Sequence, residues 1–169
     1  ELARDAEGAD FVLLCGLDPH ETARQRAQAQ LDRALRRGLP LVCANPDLVS
    51  LEGDRRVDGP GAFAARYAEG GGEVRYVGKP WPAVYRAALA VLDLPVERVL
   101  AVGDSLGHDI GGAAAFGIEG ALVPGGVHAA AFAGATHPDE LLRRLESLRG
   151  EHRRRPRWLL RAFRPGGGG

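Results

Sequence analysis

The 169 residues of this chain predict an α/β fold. Three features carry that expectation. Short apolar runs alternate with amphipathic helical patterns, and the bends between them are rich in glycine and proline. One run then ends in a Gly-Asp step that opens a polar helix start: Arg98-Val-Leu-Ala-Val-Gly-Asp104-Ser-Leu-Gly-His-Asp109-Ile-Gly-Gly-Ala. Asp104 thereby falls at the carboxyl end of a strand, where open α/β sheets bind their ligands.

The elements follow in order. Phe11 to Leu17 reads as a buried strand, Asp18-Pro19-His20 as a polar turn, Glu21 to Arg37 as a charged amphipathic helix and Leu39 to Ala44 as the next strand. Apolar strands separated by a helix imply a parallel sheet. Asn45-Pro46-Asp47 ends the second strand in a turn, and Glu52 to Gly61 reads as a loop or short hairpin. Ala62 to Glu69 is a helix closed by Gly70-Gly71-Gly72. Val74 to Val77 is a short strand, and Pro82 opens a helix to Leu92 with Val84, Ala87, Ala88 and Val91 on one face. Val99 to Val102 is a strand, Leu106 to Phe116 a helix closed by Gly117, and Ile118 to Val123 a further strand before the Pro124-Gly125-Gly126 loop. His137-Pro138-Asp139 opens a last helix with Leu141, Leu142, Leu145 and Leu148 on one side, and Gly166 to Gly169 offers nothing to a core. The glycine run and the complete strand-helix-strand pattern before it place a domain boundary between about Gly70 and Gly78.

Composition excludes several classes. Twenty-two basic side chains balance 22 acidic ones, so overall charge favours neither nucleic acid nor an anionic membrane. Arg143, Arg144, Arg149, His152, Arg153, Arg154, Arg155, Arg157, Arg161 and Arg164 crowd the end, and a solvated helix surface with a frayed tail accounts for them. Cys15 and Cys43 lack further thiols for a zinc set and read as small buried hydrophobes in a reducing compartment. The start, Glu1-Leu-Ala-Arg-Asp, has neither an initiator methionine nor signal-peptide regions, and no apolar run spans a bilayer. A cytoplasmic protein is expected, and the absent methionine accords with lost upstream sequence.

Chemistry concentrates in three places. Asp104 and Asp109 lie five apart across a strand-to-helix junction, a spacing that brings two hard-oxygen donors toward one cation, with Asp104 the better direct ligand. A capped helix start with an acidic dipole partner satisfies the same residues without metal. Lys79, the only lysine, sits between Gly78 and Pro80 just after a strand, where its compact charge suits phosphate oxygens; a solubilising surface lysine is the other reading. The glycines at 103, 107, 111 and 112 form neither a dinucleotide fingerprint nor a phosphate loop. The five histidines form no ligand pair, and His108 is expected at most beside the cation site.

Gly78-Lys79-Pro80, Gly103-Asp104-Ser105 with Asp109-Ile-Gly-Gly-Ala113, and the upstream Ala44-Asn45-Pro46-Asp47 together resemble the haloacid dehalogenase superfamily. More narrowly they are similar to its class IIA capped phosphatases, over nearly the whole chain through about Leu148. The resemblance implies a three-layer Rossmann-like half-core with part of an α/β cap. Residues 1–73 would be the C-terminal part of the cap, 74–150 the C-terminal half of the core, and 151–169 a basic and glycine-rich tail. It further implies that Lys79 steadies the transferring phosphoryl group, that Asp104 is a Mg²⁺ ligand, that Asp109 supports the ion or the lysine, and that Asn45 and Asp47 face the core and help select the leaving group. His108 stands where relatives often carry threonine.

One departure shapes the functional expectation. Relatives carry an Asp-x-Asp-Gly whose first aspartate attacks phosphorus through an aspartyl-phosphate intermediate, and this sequence contains no such motif. Leu17-Asp18-Pro19-His20 and Val57-Asp58-Gly59 are not replacements. The expected function is therefore that of a Mg²⁺-dependent phosphomonoester hydrolase acting on a small phosphorylated metabolite, incomplete and weak or inactive as this chain alone. A missing N-terminal portion would complete it, and a homo-oligomer is the other partner expected. A noncatalytic phosphate-binding or protein-interaction module is the alternative.

Overall fold

The computed structural model describes residues 3–53, 55–148 and 155–160. Two compact units divide the chain, Glu1–Val84 and Tyr85–Gly169.

The first unit is built on a parallel sheet of β1 (Val12–Leu14), β2 (Leu41–Cys43) and β5 (Val74–Tyr76), in the order β1-β2-β5. Leu14 stands opposite Cys43, and Cys43 opposite Tyr76. Parallel neighbours need long crossovers, and the sequence supplies α1 (Glu21–Arg36) between β1 and β2. A hairpin of β3 (Val49–Glu52) and β4 (Arg55–Asp58), followed by α2 (Pro60–Glu69), connects β2 to β5. Helix α1 is charged over most of its length and buries only Leu31 and Ala34 completely, which join Leu14, Leu41, Cys43, Phe63, Ala64 and Tyr67 in one core. Tyr67 enters that core because its hydroxyl donates to the Leu39 carbonyl at 2.6 Å.

Four expectations change here. β1 is shorter than Phe11 to Leu17 and is not a buried strand: it lies at the sheet edge, with Phe11, Leu13 and Cys15 exposed. The hairpin begins at Val49 rather than near Glu52, and α2 starts at Pro60, whose fixed φ and missing N–H suit a first turn. The Gly70-Gly71-Gly72 run is a helix end inside the unit: Gly71 takes φ +90°, and the Gly72 N–H donates to Tyr67. β5 then pairs with β2, so the units part at Val84/Tyr85 and not at the glycines. Helix α3 (Pro82–Leu92) runs across that division.

The second unit carries the parallel sheet β6 (Leu100–Gly103), β7 (Glu119–Leu122) and β8 (Trp158–Leu159), with β7 central. Leu106, Ile110, Leu122, Phe132, Leu141 and Leu145 form its core. Two further corrections follow. The expected helix from Leu106 to Phe116 is a π-helical turn over Leu106–Gly111 continued by α4 (Gly112–Ala115), because the Ser105 carbonyl accepts from both Asp109 and Ile110. The segment expected to be only a tail includes β8, where Trp158 and Leu159 stand opposite Ala121 and Leu122. Arg157 fixes that pairing, its amide on the Gly120 carbonyl and its guanidinium on Glu119. Other parts of the basic tail, including Arg149, His152–Arg154 and Arg161–Gly169, lie outside the described residues. Helices α5 (Ala129–Phe132) and α6 (Pro138–Ser147) follow β7. Leu142 on α6 is exposed, so the apolar face narrows to Leu141 and Leu145, with Leu148 packed alongside. Among the described residues no helix is long and apolar enough to cross a membrane.

Candidate active site

In the second unit, β6 ends at Gly103 and delivers Asp104 to the carboxyl edge of the sheet. The buried carboxylate of Asp109, 6% exposed, folds back under this point. Its Oδ2 accepts the backbone N–H of Asp104 at 3.1 Å and of Ser105 at 3.0 Å. The π-helical turn makes this possible, since its extra residue swings Asp109 beneath Gly103, and a Cβ on Gly103 would overlap the Asp109 carboxyl. Ser105 Oγ accepts the His108 N–H at 3.1 Å and caps the turn, as its sequence position predicts. The amides of Asp104, Ser105, Leu106 and His108 are all taken by protein acceptors, the Leu106 N–H by His128 Nε2 at 3.3 Å.

Asp104 is held from the other side by the turn after β7. Its Oδ2 accepts the Val127 N–H at 2.8 Å. Gly126 lies so close, at φ +59°, that a Cβ there would overlap this carboxylate. Among the described residues no hydrogen bond reaches Asp104 Oδ1. Tyr85 closes the base of the turn. Its hydroxyl donates to the His108 carbonyl at 3.1 Å and its ring stacks on Phe116. Burial first, and the nearby negative charge of Asp109 second, push the Tyr85 hydroxyl pKa up to about 12.

This donor set suits Mg²⁺, which takes hard oxygens, is held by one or two carboxylates and keeps water and substrate oxygens in the rest of its shell. Asp104 offers the oxygen, while Asp109 Oδ2 is spent on shaping the loop. Among the described residues no group of three or more His, Cys, Asp or Glu is arranged to hold a metal.

The remaining predicted residues belong to the first unit. There the Asn45-Pro46-Asp47 turn is a hub. Asn45 Oδ1 accepts the Asp47 N–H at 3.2 Å, and the Asp47 carbonyl accepts from Gly61 at 3.0 Å. Gly78 packs against the Ala44 carbonyl and Pro46 so tightly that a Cβ would overlap both, which places the Lys79 segment beside this turn. The Lys79–Pro80 peptide is cis. A cavity of about 550 Å³ opens at the carboxyl ends of β1 and β2, lined by Leu17, Arg24, Asn45, Ser50, Glu52 and Pro60. Gly59-Pro60-Gly61, expected as the end of a loop or short hairpin, instead opens α2. Its signal was present, two glycines around a helix-opening proline, where backbone must meet backbone. His128 and Gly126 were also missed, since nothing in the sequence ties them to a site 22 residues earlier.

Comparison with known proteins gives this geometry a family. Residues 76–148 match the family model of HAD-like hydrolases. The chain is 33% identical over 126 residues to an acid sugar phosphatase of Staphylococcus haemolyticus, covering 73% of this chain and 46% of that protein. A haloacid dehalogenase-like hydrolase from Brucella suis superposes with a TM-score of 0.66 at 31% identity, over 96% of this chain and 58% of that one. A glycerol phosphate phosphatase from Mycobacterium tuberculosis, solved with magnesium, superposes with a TM-score of 0.62 at 29% identity, over 93% of this chain and 43% of its own. The chain thus spans about half the length of these relatives. With its Gly-Lys-Pro and Gly-Asp-Ser segments and this extent of likeness, the chain belongs to the haloacid dehalogenase superfamily and corresponds to the C-terminal part of its class IIA phosphatases.

Proposed function

We propose that the chain is the C-terminal part of a magnesium-dependent phosphomonoester hydrolase acting in the cytoplasm on a small phosphorylated metabolite. The observation that carries this reading is the loop at the end of β6, where Asp109 is spent on shaping the backbone and Asp104 Oδ1 is left for a cation. Residues 1–73 are assigned to the cap portion, 74–150 to the half-core and 151–169 to the tail. When bound at Asp104, with Asp109 in support, Mg²⁺ would neutralise phosphate charge. Lys79 contributes a positive charge to the transferring phosphoryl group, and Asn45, which lines the first unit's cavity, together with Asp47 in the same turn selects the leaving group. Attack needs a carboxylate of the Asp-x-Asp-Gly type, which this sequence does not contain, so the isolated chain turns over weakly or not at all.

The test is a titration with Mg²⁺ followed by phosphate release from a panel of phosphate esters, with and without the metal. Expected are Mg²⁺ binding lost in Asp104→Asn and retained in His108→Ala, together with negligible turnover. Rapid Mg²⁺-dependent turnover by the 169-residue chain would refute the inactivity, and an unchanged metal response in Asp104→Asn would refute the site. A noncatalytic phosphate-binding or interaction module is the second reading. It is favoured by β6, which pairs only with β7 among the described residues and leaves Leu100 and Val102 exposed on a parallel strand. A folded homo-oligomer that binds no Mg²⁺ and turns over no phosphate ester would favour it, phosphate binding then separating its two forms.

A further inference from the structure

We propose that His128 is a positioning residue for Asp104, a role that rests on the reading of Asp104 as the cation ligand. Asp104 and Leu106 lie two residues apart on one turn, and Val127 and His128 are adjacent on the turn after β7. Two hydrogen bonds join these turns like rungs: Val127 N–H to Asp104 Oδ2 at 2.8 Å, and Leu106 N–H to His128 Nε2 at 3.3 Å. The first rung takes its donor from the Val127 backbone, so it survives most substitutions in the turn after β7. The second needs a side-chain acceptor at residue 128. Leu106 is 2% exposed, so its N–H, an orphan donor at the start of a helical turn, has little access to replacement water. An imidazole that accepts at Nε2 carries its proton on Nδ1, so the rung also fixes the tautomer of His128. Losing the rung frees the start of the π-helical turn. Asp104, held between this turn and Val127, then loses the fixed backbone that aims Oδ1.

Three measurements on the whole chain decide the matter. In the unaltered protein the ring nitrogen shifts of His128 should report the Nδ1–H tautomer, and an Nε2–H tautomer would overturn the proposal without any substitution. In His128→Ala, without added metal, exchange of the Leu106 amide should rise roughly tenfold and that of the Asp104 amide should follow. His128→Gln, which keeps a carbonyl acceptor, should restore protection. In a Mg²⁺ titration read on the same amides, His128→Ala should weaken binding severalfold and His128→Gln should recover it. Unchanged Leu106 exchange in His128→Ala overturns the brace whatever the metal does. Altered exchange in a protein whose unsubstituted form ignores Mg²⁺ supports the brace and overturns the cation assignment instead.

Discussion

Asp109 is the residue on which the candidate site turns. Its Oδ2 serves two backbone donors at a position only 6% exposed. Asp109→Ala leaves both unpaired and should destabilise the second unit by about 2–4 kcal/mol; Asp109→Asn keeps a carbonyl oxygen and should cost about half as much. Urea unfolding followed by circular dichroism checks the order. Tyr85 gives a pH signature. The folded chain holds its proton more tightly than the unfolded chain, whose tyrosine titrates near 10, so this contribution is whole below pH 10 and drains away as pH rises toward about 12. Tyr85→Phe should lose about 1 kcal/mol at neutral pH with the bond to His108, yet show a shallower loss of stability between pH 10 and 12. That Asp104 follows a strand end and Asp109 falls in the next helical turn was legible in the sequence, because spacing from a strand end is a local property. Val127 and His128 were not, because their roles exist only once β7 lies beside β6.

Among elements, those with strong periodicity or clear punctuation were legible: α1 and α3 lie close to their expected ranges, as does α6. The π-helical turn was not, since it departs from an α-helix only in the Ser105 carbonyl accepting from Ile110 as well as Asp109. β8 was hidden because three apolar residues between arginines, Trp158 to Leu160, carry no pattern until Ala121 and Leu122 offer Trp158 and Leu159 an edge. The hub at Asn45-Pro46-Asp47 makes a sharper prediction. Gly78→Ala drives a methyl into the Ala44 carbonyl and Pro46, where backbone cannot step aside. The expected cost is about 3 kcal/mol or more, in the range of overpacked cores, with the damage centred on the Asn45 and Lys79 segments in amide exchange. A neutral Gly78→Ala would mean the two segments do not touch.

At the scale of the whole molecule, the two buried clusters share no residue. Leu41 and Leu122 are each fully buried, one in each unit. Truncating either to alanine should cost about 2–5 kcal/mol, and exchange mass spectrometry should find the loss of protection confined to residues 3–84 for Leu41→Ala and to the later residues for Leu122→Ala. The family was legible because three short segments in fixed order are each tied to a strand end. Where the units divide was not legible, because a glycine run that ends a helix and one that links domains are written with the same residues.

The sealed amides at the end of β6 carry one more consequence. Most helix starts welcome anions through their open peptide dipoles, but here the donors of Asp104, Ser105, Leu106 and His108 are already spoken for, and two carboxylates face the same corner. With its donors occupied and its carboxylates ionised, the corner should attract a cation before it accepts an anion. Inorganic phosphate alone, at millimolar concentration, should therefore leave these four resonances where they stand, and should move them only after Mg²⁺ has been added, so that the order of addition becomes visible in the spectrum.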